Sequence, residues 1–211
     1  QKQLEGSEAR WHLECARLTA ARQAAALGLK ERVSALMQQL GMPGGRFTVE
    51  VQFEAGHPPA DRGSDRLELL VSANPGLPPG SLRKVASGGE LSRISLAIKV
   101  ASRASAAATQ VFDEVDAGIG GETAHAVGAL LRSLAAGGQA LCVTHLAQVA
   151  VFADQQIQVL KSAEGETTRV RTSLLEAHAR VDEIARMLGG RLSAQSRAHA
   201  SELLATASTQ H

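Results

Sequence analysis

Val111-Phe112-Asp113-Glu114-Val115-Asp116 sets three carboxylates directly behind a short apolar run. Apolar residues leading straight into Asp-Glu-x-Asp read as a strand that delivers two adjacent carboxylates to its C-terminal end. That end is where open α/β sheets bind their ligands. An Asp placed there suits Mg²⁺ held through water, and the Glu beside it suits taking a proton from an attacking water. An acidic surface turn is the bland alternative, and the apolar approach counts against it.

Two further stretches flank this one. Upstream, Ser87-Gly88-Gly89-Glu90 precedes Leu91-Ser92-Arg93. Ser and Glu at this spacing, opening an apolar-periodic helix, form a capping box. The two glycines let backbone N–H groups approach a ligand closely, at a helix end that already has positive character and unpaired donors. This is the chemistry of a phosphate-binding corner, although the tetrapeptide alone reads first as an ordinary helix cap. Downstream, Val143-Thr144-His145 ends a second apolar strand. A His there suits donation to a terminal phosphate; alone, it is more often a hydrogen-bonded structural residue.

Around these stretches the chain alternates strands with helices. A helix is expected over about Gly89–Arg103, a strand into Asp113, a helix over Glu122–Leu134 and a buried strand over Ala140–Val143. A short helix should follow His145, then strands near Ile157–Leu160 and Arg169–Leu174, and helices near Val181–Leu188 and Ala194–Leu204 that Gly189-Gly190 separates. This order argues for an α/β fold with a largely parallel sheet and helices on its faces. Before it, Phe47, Val49, Val51 and Phe53 alternate as a strand, and Leu67–Val71 reads as a second. Loops are expected at His57-Pro58-Pro59 through Ser64, at Asn74-Pro75-Gly76 and at Pro78-Pro79-Gly80. Residues 1–40 form one helix without proline, ended by Gly41-Met42-Pro43-Gly44-Gly45. Leu29, Val33, Leu36 and Leu40 have heptad-like spacing, and Leu4, Trp11, Leu18 and Ala25 make a looser series. Spacing alone leaves a coiled-coil strand and an amphipathic helix on a globular core as equal readings.

Composition sets the outer bounds. The 211 residues carry a formal net charge of +1, which gives no global attraction to nucleic acid or an anionic membrane. Only 2% of residues are aromatic, so the core must be aliphatic and base stacking has little to use. Cys15 and Cys142 stand far apart and in no metal-ligand pattern, which fits a reduced, cytosolic setting. No apolar run reaches the roughly 18–20 residues of a membrane span. The opening QKQLEGSEARWHLE reads as mid-helix, with no apolar core of a signal peptide, and suggests an excised fragment.

Taken in order, these stretches closely resemble the RecN family of SMC-like ABC ATPases. VASGGELSRISLAIK, FDEVDAGIGG, VTHLAQVA and ARVDEIARMLGG carry the likeness, which covers essentially the whole chain. The resemblance implies the C-terminal lobe of an ABC/SMC-type P-loop ATPase head over residues 41–211, with residues 1–40 as the returning strand of a coiled-coil arm. It implies ATP and Mg²⁺ as ligands, with ATP sandwiched between two heads to drive dimerisation, in DNA double-strand-break repair and recombination. Ser87, Gly88, Gly89 and Glu90 would be the signature loop, touching the γ-phosphate of ATP held by a partner head. Asp113 would serve Mg²⁺, through water, and Glu114 would be the general base. Asp116 would be the D-loop residue crossing the dimer, and His145 the γ-phosphate sensor. The implied partners are an N-terminal lobe carrying the Walker A loop, a second head, and DNA contacted without sequence preference; no membrane is implied. The implied location is the cytoplasm, on the nucleoid.

Two departures stand out. Thr109 and Gln110 interrupt the aliphatic run usual before the Walker B Asp. No G-x-x-x-x-G-K-[ST] occurs; Gly76-Leu77-Pro78-Pro79-Gly80-Ser81 lacks the Lys, and its prolines lack N–H donors. The chain alone would therefore be inactive. A non-enzymatic dimerisation or DNA-bridging platform is the competing reading, and a transporter nucleotide-binding domain a weaker one. A Ser–His–Asp hydrolase built on Ser87, Asp113 and His145 lacks the G-x-S-x-G elbow. Arg180, Arg186, Arg191 and Arg197 enrich the C-terminal region, but Asp182, Glu183 and Glu202 dilute it toward a solvated helix face.

Overall fold

A computed structural model describes residues 2–209 except 55–57, 73–75, 77, 85–86, 103–108, 165–166 and 190. Parts of the expected loops at His57 and Asn74-Pro75, the last residue of the helix expected to end at Arg103, and Gly190 lie outside the described residues. The chain divides into two compact units, Gln1–Ala104 and Ser105–His211. Both mix helices with sheet, and the fold is α/β.

The first unit opens with α1, Lys2–Gln39. Its termination follows from Gly41, whose φ of 75° few side chains tolerate. Met42 N–H then reaches back to the Met37 carbonyl at 3.1 Å, the six-residue return that closes a helix C-terminus. Strand β1 (Arg46–Phe53) pairs antiparallel with β2 (Asp65–Ser72), setting Phe47 opposite Val71 and Val51 opposite Leu67. The alternation puts Phe47, Val49, Val51, Leu67, Leu69 and Val71 on one face. Phe47 is fully buried with Val33, Met37 and Leu40 of α1 and its cap. Polar ties fix the same docking. Phe47 N–H donates to Ser34 Oγ at 3.0 Å. Thr19 Oγ1 and Arg22 Nη1 donate to the two oxygens of Asp65 at 2.7 and 2.9 Å.

Where a loop is expected at Pro78-Pro79-Gly80, a two-residue strand β3 (Gly80–Ser81) joins the edge of β2. Pairing begins at Gly80 because the two prolines before it have no N–H to donate. A 3-10 turn over Leu82–Lys84 follows. Helix α2 (Gly88–Ser102) then buries Ile94, Leu96 and Ala97. Arg32 of α1 donates to the Ala101 carbonyl near its end at 3.1 Å.

The second unit contains one βαβ crossover. Strand β4 (Thr109–Phe112), helix α3 (Gly121–Ala135) and strand β5 (Gln139–Cys142) bring β4 and β5 together in parallel. Helix α4 (Ala147–Ala150) follows, then a hairpin of β6 (Ile157–Glu164) and β7 (Thr167–Leu174), then α5 (Ala177–Gly189) and α6 (Ala194–Thr209). Among the described residues, only β4 and β5 pair in parallel; the expected largely parallel sheet is replaced by antiparallel hairpins elsewhere. The reason is connection length: α3 supplies the crossover between β4 and β5, whereas the antiparallel pairs β1–β2, β2–β3 and β6–β7 are joined by much shorter connections. The strand at 139–142 is also half-buried rather than buried. Leu141 and Val143 share an exposed face with Val111 of β4, which is 68% exposed, while Phe112 is buried on the other.

Small residues let the helices of this unit approach closely. Ile184, Ala185, Ala200 and Ala207 form a core with Val151 and Phe152. Gly128 of α3 lies against the Phe152 ring, where a Cβ would collide with the ring carbons. His125 meets the same ring edge-on, with centroids 4.7 Å apart. Arg132 donates to the Ala207 carbonyl at 2.7 Å, setting a cation at the C-terminal turn of α6.

Candidate functional site

In the first unit, Ser87 stands at the N-terminus of α2. Its carbonyl accepts from Leu91 N–H at 3.0 Å, and its Oγ accepts from Glu90 N–H at 3.4 Å. The capping reading of this stretch is therefore realised on the Ser87 side. Ser87 and Gly88 are exposed, and Gly89 is buried. First-turn N–H groups have no partner within a helix, so this end is open to an anion. Arg93, one turn along, is buried; burial holds its guanidinium below its ordinary pKa, and the Glu90 charge opposes that shift. Helical spacing sets Arg93 beside Glu90, and the structure adds that Arg93 is buried there.

The second unit supplies Asp113, Glu114, Asp116 and His145. Asp113 follows β4 directly, and its Oδ1 accepts from Glu114 N–H at 2.9 Å. Glu114 has a φ of 58°, the sole non-glycine residue with positive φ among the described residues. A side chain in the left-handed region costs of order 1–3 kcal/mol and persists where surrounding contacts impose it. The carbonyl of Glu114 accepts from Ala117 N–H at 3.1 Å, which closes the turn and leaves both carboxylates exposed. Strand position and backbone geometry together present Asp113 and Glu114 at the C-terminal edge of the parallel pair.

Asp116 points the other way. Its side chain is 4% exposed, and its Oδ2 accepts two hydrogen bonds from the loop after β5. The donors are Thr144 Oγ1 at 2.6 Å and His145 N–H at 2.9 Å, and Nδ1 of the His145 ring lies 3.0 Å from the same oxygen. Thr144 Oγ1 accepts in turn from Leu146 N–H at 3.1 Å, at the entry to α4. The ends of β4 and β5 are thus tied through one carboxylate. His145 itself is 73% exposed. Thr144 is the residue that sequence reading passed over; its signal was a hydroxyl between an apolar strand and a His. Cys142, beside this loop, has its thiol pushed up to about 12, first by burial and then by the charges of Asp116 and Asp113.

Thr109 and Gln110, the polar interruption before this site, do not break β4. Thr109 faces Gln139 across the parallel pair, and its hydroxyl lies 2.8 Å from Gln139 Oε1. Among the described residues, no three His, Cys, Asp or Glu gather into a metal cage. Mg²⁺ does not need one: it is usually held by one or two carboxylates together with substrate phosphates, and an exposed Asp113 fits that mode. Of the C-terminal arginines, Arg186 is held by buried Glu183 at 2.7 Å and Arg197 by Asp182 at 2.6 Å. Arg180 donates to the carbonyls of Ala150, Val151 and Ala153 behind α4. Among the described residues, no helix is long and apolar enough to cross a membrane.

No protein-family model matches the chain. Individual proteins do. The chain is 44% identical over 197 residues to the DNA repair protein RecN of Xylella fastidiosa (strain Temecula1), covering 92% of this chain and 35% of that protein. It is 43% identical over 199 residues to RecN of Treponema pallidum, covering 92% and 35%. To RecN of Deinococcus radiodurans it is 45% identical over 188 residues, covering 89% and 33%. Among solved structures, the Smc head bound to the C-winged helix domain of ScpA aligns with a TM-score of 0.49 and 23% identity, over 73% of this chain and 44% of that one. The Smc head with coiled coil and joint from Pyrococcus yayanosii aligns at 0.47 and 22%, over 86% and 29%. The chain spans about a third of the length of the curated relatives it matches. Over nine-tenths of its residues, this chain is similar in sequence to a portion of the DNA repair protein RecN.

Proposed function

We propose that this chain is the C-terminal part of an SMC-like ATPase acting in DNA double-strand-break repair and recombination. Residues 41–211 serve as the C-terminal lobe of an ABC-type head, and residues 1–40 as the returning strand of its coiled-coil arm. Glu114 is the general base that takes a proton from the attacking water. Asp113 holds Mg²⁺ through water, and bound Mg²⁺ supplies charge neutralisation at the phosphates. Ser87, Gly88 and Gly89, with Glu90 closing the cap, offer backbone and hydroxyl donors to the γ-phosphate of ATP on a second head. His145 contacts the same phosphate. ATP binding closes the two heads on each other, and hydrolysis releases them.

The observation that carries this reading is Glu114. A carboxylate held in the left-handed region at the C-terminal end of a parallel strand, beside a second exposed carboxylate, is stored strain at a ligand-binding edge. The RecN similarity supports the DNA-repair setting. An N-terminal lobe must supply the backbone cradle and Lys that this sequence lacks. DNA contact is sequence-independent and made to phosphates, and the site of action is the cytoplasmic nucleoid.

The test is ATP turnover by this chain mixed with the N-terminal part of the same protein. Turnover in the mixture, absent from either part alone and lost in Glu114→Gln, is expected. An associated, ATP-binding mixture with no turnover would instead leave a non-enzymatic platform.

A further inference from the structure

We propose that Thr144 is a positioning residue for the reaction read above: its hydroxyl closes a turn around His145 and ties that turn to the loop that carries Glu114. Thr144 Oγ1 accepts from Leu146 N–H at 3.1 Å, two residues along the chain. A bond from an amide back to the hydroxyl two residues before it closes a tight local turn, and His145 is the residue enclosed. The amide can only donate, so the hydroxyl's single hydrogen is left for another acceptor. That acceptor is Asp116 Oδ2 at 2.6 Å, with the Leu146 carbonyl a distant second at 3.5 Å. His145 N–H donates to the same Oδ2 at 2.9 Å. One hydroxyl and one carboxylate oxygen thus hold the chain at Thr144, His145 and Leu146.

Both ends of this latch lead somewhere firm. Leu146 is the N-cap of α4, and its carbonyl accepts from Val149 and Ala150 N–H at 3.1 Å each. Ala147, Val149 and Ala150 of that helix are buried. At the other end, Asp116 stands two residues beyond Glu114 with its side chain 4% exposed, where water is a poor substitute for a lost donor. The His145 ring, 73% exposed, is therefore carried on a backbone held before and after it. The latch grips that backbone, so it decides where the ring stands and not which ring nitrogen carries a proton. Serine at this position would keep the hydroxyl. Valine would keep the shape, with its stiff branched Cβ, and lose both hydrogen bonds. The role in turnover rests on the ATPase reading above, whereas the latch rests on geometry alone.

The first readout is amide hydrogen exchange in the 211-residue chain without nucleotide. The Leu146 amide should be protected in the parent chain. A Leu146 amide that exchanges as in an unfolded chain overturns the latch without recourse to any variant. In Thr144→Val, Leu146 exchange should rise about 10-fold beyond any change in global stability read by urea unfolding, and Thr144→Ser should restore it. Unchanged exchange in a folded Thr144→Val chain overturns the latch as well. The second readout is ATP turnover by the mixture with the N-terminal part. Thr144→Val should lower kcat about 10- to 100-fold with KM for ATP little changed, and Thr144→Ser should recover kcat. An unchanged kcat in Thr144→Val, equal losses in the two variants, or a raised KM with kcat preserved overturns the positioning role. A parent mixture without turnover removes the ATPase reading and the positioning role with it, whereas exchange, read without ATP, still decides the latch.

Discussion

Glu114 and Asp116 lie two residues apart and face opposite tasks. Glu114 is exposed on a strained backbone; Asp116 is buried and fully engaged. Asn tolerates the left-handed region better than Glu. Glu114→Asn should therefore stabilise the chain by about 0.5–1 kcal/mol in urea unfolding, while removing the proposed base. A loss of stability instead would show that the conformation is not strained. Cys142 gives a separate check at this scale. With its thiol raised to about 12 and little thiolate near neutral pH, it should react with iodoacetamide far more slowly than a free thiol at pH 8. The Asp-Glu-x-Asp motif and the His were legible because their types and order carry chemistry. The hydrogen bonds that separate Asp116 from its neighbours were not, since they join residues 28 and 29 positions apart.

Among the elements, α1 was the easiest to read and its docking the hardest. Helix propensity, the absence of proline and the glycine stop mark out 1–40, and α1 spans Lys2–Gln39. Its side-on anchor at Asp65 has no local signal. That carboxylate is 1% exposed and takes Thr19 and Arg22 across more than forty residues. Its pKa is lowered: burial, the largest influence, raises it, but the bonds to Thr19 and Arg22 and the Arg22 charge together outweigh burial. The anchor's stability is therefore present above the ordinary Asp pKa, about 3.9, and is lost as pH falls through the lower folded value. Arg22→Ala should cost about 3 kcal/mol at neutral pH, since it strands a buried charge, and should flatten the acid limb of the stability curve. Helix α3 offers a packing test. Gly128→Ala drives a Cβ into the Phe152 ring and should cost about 1–3 kcal/mol by denaturant unfolding. An unchanged midpoint would mean that the ring moves aside freely.

For the molecule as a whole, the near-neutral charge and the internal engagement of Arg180, Arg186 and Arg197 point the same way. DNA affinity of this chain alone should be weak and its dependence on salt shallow, because its 22 Lys and Arg are nearly matched by 21 Asp and Glu. Titration of a duplex at two salt concentrations reads this directly; a steep slope would place the main DNA surface here. Function at this scale is proposed to be shared with the N-terminal part and with a second head, and the turnover assay of the mixture is its test.

The sequence by itself determined the α/β class, the positions of most helices and strands, and the short stretches that carry the likeness to RecN. These follow from period, propensity and local chemistry, which neighbours along the chain can specify. Only the tertiary structure decided that parallel pairing is confined to β4 and β5 among the described residues, that Leu141 and Val143 face outward, and that Asp116 turns inward onto Thr144 and His145. Each depends on which distant segments meet. A carboxylate at a strand end has the same local sequence whether it faces solvent or a hydroxyl from the neighbouring strand; burial and hydrogen bonding choose between them.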